Sequence, residues 1–232
     1  MSAVRRAVRP GTRCAMSAVR RAVRPGERRL VGAVPLAGLV LAGCVGLGPR
    51  PESSRFYMLT PIAAADGAGG TPGEPSVRVG LGPVVLPSYL DRPTLVRRVG
   101  TNQLQLSASD RWAEPLPEAV AHVLQQNLIM LLGGRVVLYP WSLGTDIDTR
   151  VNVEVLRFEP AADGSAELEA RWTVRDASGA RLVVRESHVT EPVSGGDTAA
   201  AVAAMSRALA TLSGEIASDV HDHAAASTPP RH

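Results

Sequence analysis

"AELEARWTVR", residues 166–175, alternates without a break. Ala166, Leu168, Ala170, Trp172 and Val174 share one side of an extended chain, and Glu167, Glu169, Arg171, Thr173 and Arg175 share the other. Side chains on a strand alternate with period two, so the stretch reads as a strand with one buried face and one wet face, the habit of antiparallel sheets. Its neighbours repeat the pattern. "VNVEVLRFE" (151–159) leads into a turn at Asp163-Gly164, and "DASG" (176–179) turns the chain into "ARLVVRESHVT" (180–190). Residues 151–190 therefore form an antiparallel meander.

Working outward, "RFYMLTP" (55–61) is a compact strand bounded by proline, and "VRVGLGPVVL" (77–86) is a strand whose Gly-Pro marks a bulge or an edge. Residues 94–99 and 103–107 flank a Gly100-Thr101-Asn102 turn, and 135–139 returns as a strand. Pro115 to Leu132 is a helix. Leu116, Val120, Val123, Leu124, Leu128 and Leu131 recur at steps of mainly three and four, Pro117 and Glu118 suit its first turn, and Gly133-Gly134 stops it. A second helix runs from about 197 to 220, with Val202, Met205, Leu209, Leu212, Ile216 and Val220 as a narrow stripe for packing on the sheet. The expected fold class is α+β: roughly seven strands in a mixed, mainly antiparallel sheet with two helices packed on it. The domain is expected over 55–220, after a tether at 44–54, with a flexible loop at 63–76 and a disordered tail at 221–232.

The formal net charge of +3 misleads about partners. Nine of the 25 basic residues, all arginines, lie in the first 43 positions with only one of the 22 acids, Glu27. The remaining chain is mildly acidic and has no basic footprint for a phosphate backbone, so nucleic acid is set aside as a partner.

The first 43 residues read as a signal peptide. "MSAVRRAVRPG" occurs at 1–11 and again at 16–26, which leaves Met16 as an alternative start and gives a basic n-region. Leu30 to Ala42 is thirteen residues without charge, the length of a signal h-region and short for a bilayer span of ~20 residues. It ends Leu41-Ala42-Gly43-Cys44, which resembles the lipobox of bacterial lipoproteins, with Cys44 as the lipid-attachment residue. The one other cysteine, Cys14, lies in the segment to be removed, so no disulfide competes for Cys44. Two or three acyl chains on Cys44 anchor stably where one would not. Val45 stands where aspartate would signal inner-membrane retention, which favours an outer-membrane address facing the periplasm.

Chemistry is hard to find. The chain has no G-x-S-x-G, no P-loop, no G-x-G-x-x-G and no H-E-x-x-H. Of five histidines, His221, His223 and His232 are in the expected tail, His122 sits beside a helix stripe, and His188 is on a strand. No catalytic residue, metal ligand or cofactor is assigned.

Three clusters exceed ordinary core patterning: Phe56-Tyr57-Met58-Leu59, then Leu86-Pro87-x-Tyr89-Leu90-Asp91-Arg92-Pro93, then Arg111-Trp112-Ala113-Glu114-Pro115-Leu116. Tyr89 and Trp112 fit packing anchors, Asp91-Arg92-Pro93 fits a turn, and Glu114 suits a helix entry. With the lipobox, and in this order and spacing over about 44–220, the clusters resemble the PqiC/YmbA-type auxiliary lipoproteins of ABC-type transport systems of the MCE (mammalian cell entry) class. That resemblance implies a non-catalytic lipoprotein that caps or tethers the outer-membrane end of a lipid conduit. Its implied partners are an MCE-domain protein and an inner-membrane permease, and a homo-oligomeric ring is one arrangement open to it. The candidate interface or family-motif residues are Tyr57, Leu86, Pro87, Tyr89, Leu90, Asp91, Arg92, Pro93, Arg111, Trp112 and Glu114. Two other readings stand beside it: a stand-alone envelope lipoprotein that scaffolds or activates cell-wall machinery, and a lipoprotein hydrolase, for which the sequence offers no nucleophile set.

Overall fold

The computed structural model describes residues 53–62, 77–142, 144–180 and 182–227. In chain order these form strands β1 (Arg55–Tyr57), β2 (Arg78–Val85), β3 (Thr94–Gly100) and β4 (Gln103–Trp112), helix α1 (Leu116–Leu132), strands β5 (Arg135–Leu138), β6 (Thr149–Pro160), β7 (Ser165–Asp176) and β8 (Leu182–Pro192), and helix α2 (Thr198–Ser227). The class is α+β, with both helices packed on mixed sheets.

The described strands number eight rather than about seven, and they divide into two sheets rather than one. The larger sheet has the order β5-β2-β6-β7-β8, and the smaller has β1-β4-β3. The division has a simple cause. β2 is flanked on both sides by parallel partners, β5 and β6, so the β3–β4 hairpin that follows it finds no free edge there and pairs with β1 instead. The antiparallel ladders of β6 with β7 and β7 with β8 are the longest and carry the meander.

β7 keeps its alternation in three dimensions. Ala166, Leu168, Ala170, Trp172 and Val174 are all buried, while Arg171 and Arg175 are exposed and Glu167, Glu169 and Thr173 are half-buried. α2 lays Val202, Met205, Leu209, Leu212, Ile216 and Val220 into the core, every one buried, with alanines 201, 204, 208 and 217 letting the helix sit close. The Trp172 indole N–H donates to Asp219 Oδ2 at 3.0 Å, which pins the helix over the sheet. Buried Asn127 on α1 donates to Ser213 Oγ at 3.0 Å, and its carbonyl accepts the Ile62 amide at 2.8 Å, so both helices and the segment after β1 meet at one side chain.

α2 continues to Ser227, into the segment expected to be a disordered tail at 221–232. The apolar stripe runs out at Val220, but His223 is buried one turn further on, so the helix keeps a packed face after its last large aliphatic residue.

α1 ends as its Gly133-Gly134 pair requires. Gly133 is left-handed at φ 58°, and its amide donates to the Ile129 carbonyl at 3.1 Å. Gly134 then passes so close to β2 that an added Cβ would lie 2.7 Å from the Val77 carbonyl oxygen. Gly134→Ala is expected to lower stability by about 1–3 kcal/mol in urea unfolding, as overpacking against backbone does. Gly196→Ala, where a Cβ meets nothing within 4 Å, is expected to stay near neutral.

Candidate functional site: a notch where three motif clusters meet

Two backbone bonds bring the clusters together. The Trp112 amide donates to the Pro93 carbonyl at 2.8 Å, and the Ala113 amide donates to the Tyr57 carbonyl at 2.8 Å. Between them opens a pocket of about 290 Å³ lined by Asp91, Arg92, Pro93, Trp112, Ala113, Glu114 and Pro115. Leu90 and Trp112 point inward and are buried; Asp91, Arg92 and Pro93 are exposed at the rim. Tyr57, Leu86, Pro87, Arg111 and Glu114 are half-buried. Glu114 Oε2 lies 3.2 Å from His122 Nδ1 across the first turns of α1, and Arg111 Nε donates to Ser54 Oγ at 3.4 Å. Cys44 lies outside the described residues.

The loop that presents Asp91 and Arg92 is held by a buried carboxylate that the sequence reading did not single out. Glu159 is 1% exposed and accepts four hydrogen bonds: the Tyr89 hydroxyl at 2.8 Å, Arg98 Nε at 2.7 Å, Arg157 Nε at 3.2 Å and the Phe158 amide at 3.1 Å. A buried carboxylate is tolerable only when charge and lone pairs are met, and here they are. Burial, then the bond to Glu159, pushes the Tyr89 hydroxyl well above its ordinary pKa, so it stays a donor. Arg157 also reaches Glu167 at 2.5 Å.

A second buried carboxylate, Asp110, sits under the smaller sheet at 6% exposure. Arg55 Nε donates to it at 2.7 Å, Thr198 Oγ1 at 2.8 Å and Ser107 Oγ at 3.1 Å, joining β1, β4 and the start of α2. Burial works to raise its pKa, but the bonds from Thr198, Arg55 and Ser107 outweigh it and hold the carboxyl below the usual range.

No sequence signal marks Glu159. Val151, Val153 and Val155 are inward at odd positions, and a bulge between Val155 and Arg157 shifts the parity so that Phe158 takes the core face. Glu159 then falls on the opposite face, in register with Glu167, and a polar residue there reads as solvated, as Asp110 does on β4. His221 and His223, expected in the tail, lie on α2 instead, and His188 sits 3.6 Å from Glu169 on the open sheet face. The described residues hold no cluster of three or more histidine, cysteine, aspartate or glutamate side chains placed to bind a metal.

Taken together, these features define an α+β domain that builds a surface notch from its motif residues. A family model described as the ABC-type transport auxiliary lipoprotein component matches residues 57–217. The chain belongs to that family: it is an auxiliary lipoprotein component of ABC-type transport. It is 28% identical over 139 residues to the intermembrane transport lipoprotein PqiC of Escherichia coli K12, an overlap of 60% of this chain and 71% of that protein. The match to PqiC of Shigella flexneri is the same. A crystal structure of an uncharacterized protein shares the fold at TM-score 0.61 and 22% identity, covering 73% of this chain and 99% of that one. A Xanthomonas campestris protein does so at TM-score 0.58 and 20% identity, with the same coverage.

Trp112→Ala is expected to cost about 3–5 kcal/mol in denaturant unfolding, because the indole is 6% exposed and belongs to the core. Asp110 makes a pH prediction. Its native pKa is lowered, so its contribution is fully present above the unfolded-state value of about 3.9 and is lost as pH falls from there through the native value. Thermal melts of Asp110→Asn below about pH 4 are expected to show a shallower loss of stability with acid than wild type, from a lower starting stability at neutral pH.

Proposed function

We propose that the chain is the lipid-anchored, non-catalytic auxiliary subunit of an MCE-type ABC lipid transporter, held at the outer membrane by Cys44 and facing the periplasm. Its notch docks the MCE-domain protein, so that the lipoprotein caps or tethers the conduit fed by the inner-membrane permease. The observation that carries this reading is a notch lined by two motif clusters and joined to the third through the Ala113–Tyr57 backbone bond, with Asp91 and Arg92 left exposed at its rim. Packing accounts for Leu90 and Trp112 and a turn for the course of the chain at Asp91-Arg92-Pro93, and on this reading the exposed Asp91 and Arg92 side chains meet the partner. Membership of a transport family supports the partner class, and the likeness to PqiC, an intermembrane transport lipoprotein, supports traffic between membranes. Copies of the subunit arranged as a ring would give the conduit a closed end, a form that symmetric assembly favours.

Crosslinked pull-down from native membranes, with partners identified by mass spectrometry, tests the proposal. Wild type is expected to bring down an MCE-domain protein and its permease. Arg92→Glu is expected to lose them while melting like wild type, and Cys44→Ala is expected to give an uncleaved or soluble species. Recovery of cell-wall synthases in place of transporter subunits would overturn the assignment in favour of an envelope scaffold.

A further inference from the structure

Phe56 and Met58 are 66% and 59% exposed, the two most exposed large apolar side chains among the described residues. They are also the exposed large apolar side chains of the described fold that lie nearest along the chain to Cys44, with eleven residues between Cys44 and Phe56. We infer that Phe56 and Met58 dip into the lipid surface on which Cys44 is anchored, orienting the domain as well as tethering it. This rests on the anchor reading above.

The geometry fits a shallow contact. Phe56 and Met58, two positions apart, share one side of the chain, and Phe56 lies in register with half-buried Arg111 of β4, while Arg55 faces the other side, where Asp110 holds it. Among the described strands β1 pairs with β4 alone, and the backbone groups of its other edge suit water or headgroups as partners. Unsatisfied backbone of that kind is excluded from the hydrocarbon but tolerated in the interface. At ~3.3–3.6 Å per residue the eleven-residue link spans at most about 40 Å, so β1 stays within reach of the membrane in every pose. Two side chains alone would bind lipid weakly; a covalent anchor makes the contact intramolecular, where weak contacts suffice. Ala113 bonds the Tyr57 carbonyl between Phe56 and Met58, so an inserted β1 also fixes how far the notch stands from the membrane.

The mature lipidated protein has no free thiol, since Cys14 belongs to the leader and Cys44 is acylated on this reading. Met58→Cys can therefore be labelled with a nitrobenzoxadiazole dye and reconstituted in phosphatidylethanolamine–phosphatidylglycerol vesicles. Val184→Cys, exposed on the other sheet, is the control. The inference expects blue-shifted emission from position 58, quenched more strongly by lipid spin-labelled near the headgroup than deep in the chain, and no quenching at position 184. Absent quenching at 58 in protein that floats with the vesicles would overturn membrane docking and leave the anchor standing. So would a blue shift insensitive to spin-labelled lipid, which marks burial against another protein, or equal quenching at both positions. Protein that fails to float would overturn the anchor, and this inference with it.

Discussion

A carboxylate taken out of water must find its charge and its lone pairs again inside the protein, and Glu159 sets that condition for the side of the molecule that carries the notch. Its neighbours come from three places: Tyr89 from the loop after β2, Arg98 from β3, and Arg157 from β6 itself. Moving any of them away leaves a buried charge underpaired, which costs several times more than the bond itself contributes. The loop from Leu86 to Pro93 thus has one position open to it. The Pro93 carbonyl is then in place for the Trp112 amide, and the notch follows. Asp110 imposes the same condition on the other sheet, through Arg55, Ser107 and Thr198. Between them the two acids tie β1, β3, β4, β6 and the start of α2 into one frame, where apolar packing alone would leave the small sheet free to slide.

How much of this the sequence discloses depends on whether a residue obeys a period. β7 and the stripe of α2 are legible because each repeats its rule many times, and one irregular residue cannot hide the trend. The split into two sheets is not legible, because it turns on which strand edges are already taken, a long-range fact that no local window contains. The end of α2 is missed for a related reason. Large aliphatics stop at Val220, but a helix already paired with a sheet extends cheaply, since each added residue needs only one more bond. The carboxylates are the hardest to see. Polar residues look solvated until their partners are known, and those partners are as much as 88 positions distant.

The motif clusters were legible as a set but not as roles, and the reason is instructive. Each cluster mixes two jobs within consecutive residues. In Tyr89-Leu90-Asp91-Arg92 the first two serve the frame, by a bond to Glu159 and by burial, while the next two stand exposed. In Trp112-Ala113-Glu114 the indole fills the core, the Ala113 amide holds β1, and the carboxylate meets His122 at the surface. Alternation in a strand and reversal in a turn place inward and outward residues side by side, so a run of motif residues is expected to divide in this way.

That interleaving bears on how an auxiliary subunit can present an ordered surface. A docking surface is useful to the extent that it is held still, because ordering it at the moment of binding subtracts from affinity. Here the exposed residues of the notch are one or two positions from side chains locked by burial or by a buried ion pair, so their backbone is ordered before any partner arrives. The strand that closes the notch, β1, is also the first described element of the fold, so the N-terminal end of the described chain is bonded directly to that surface.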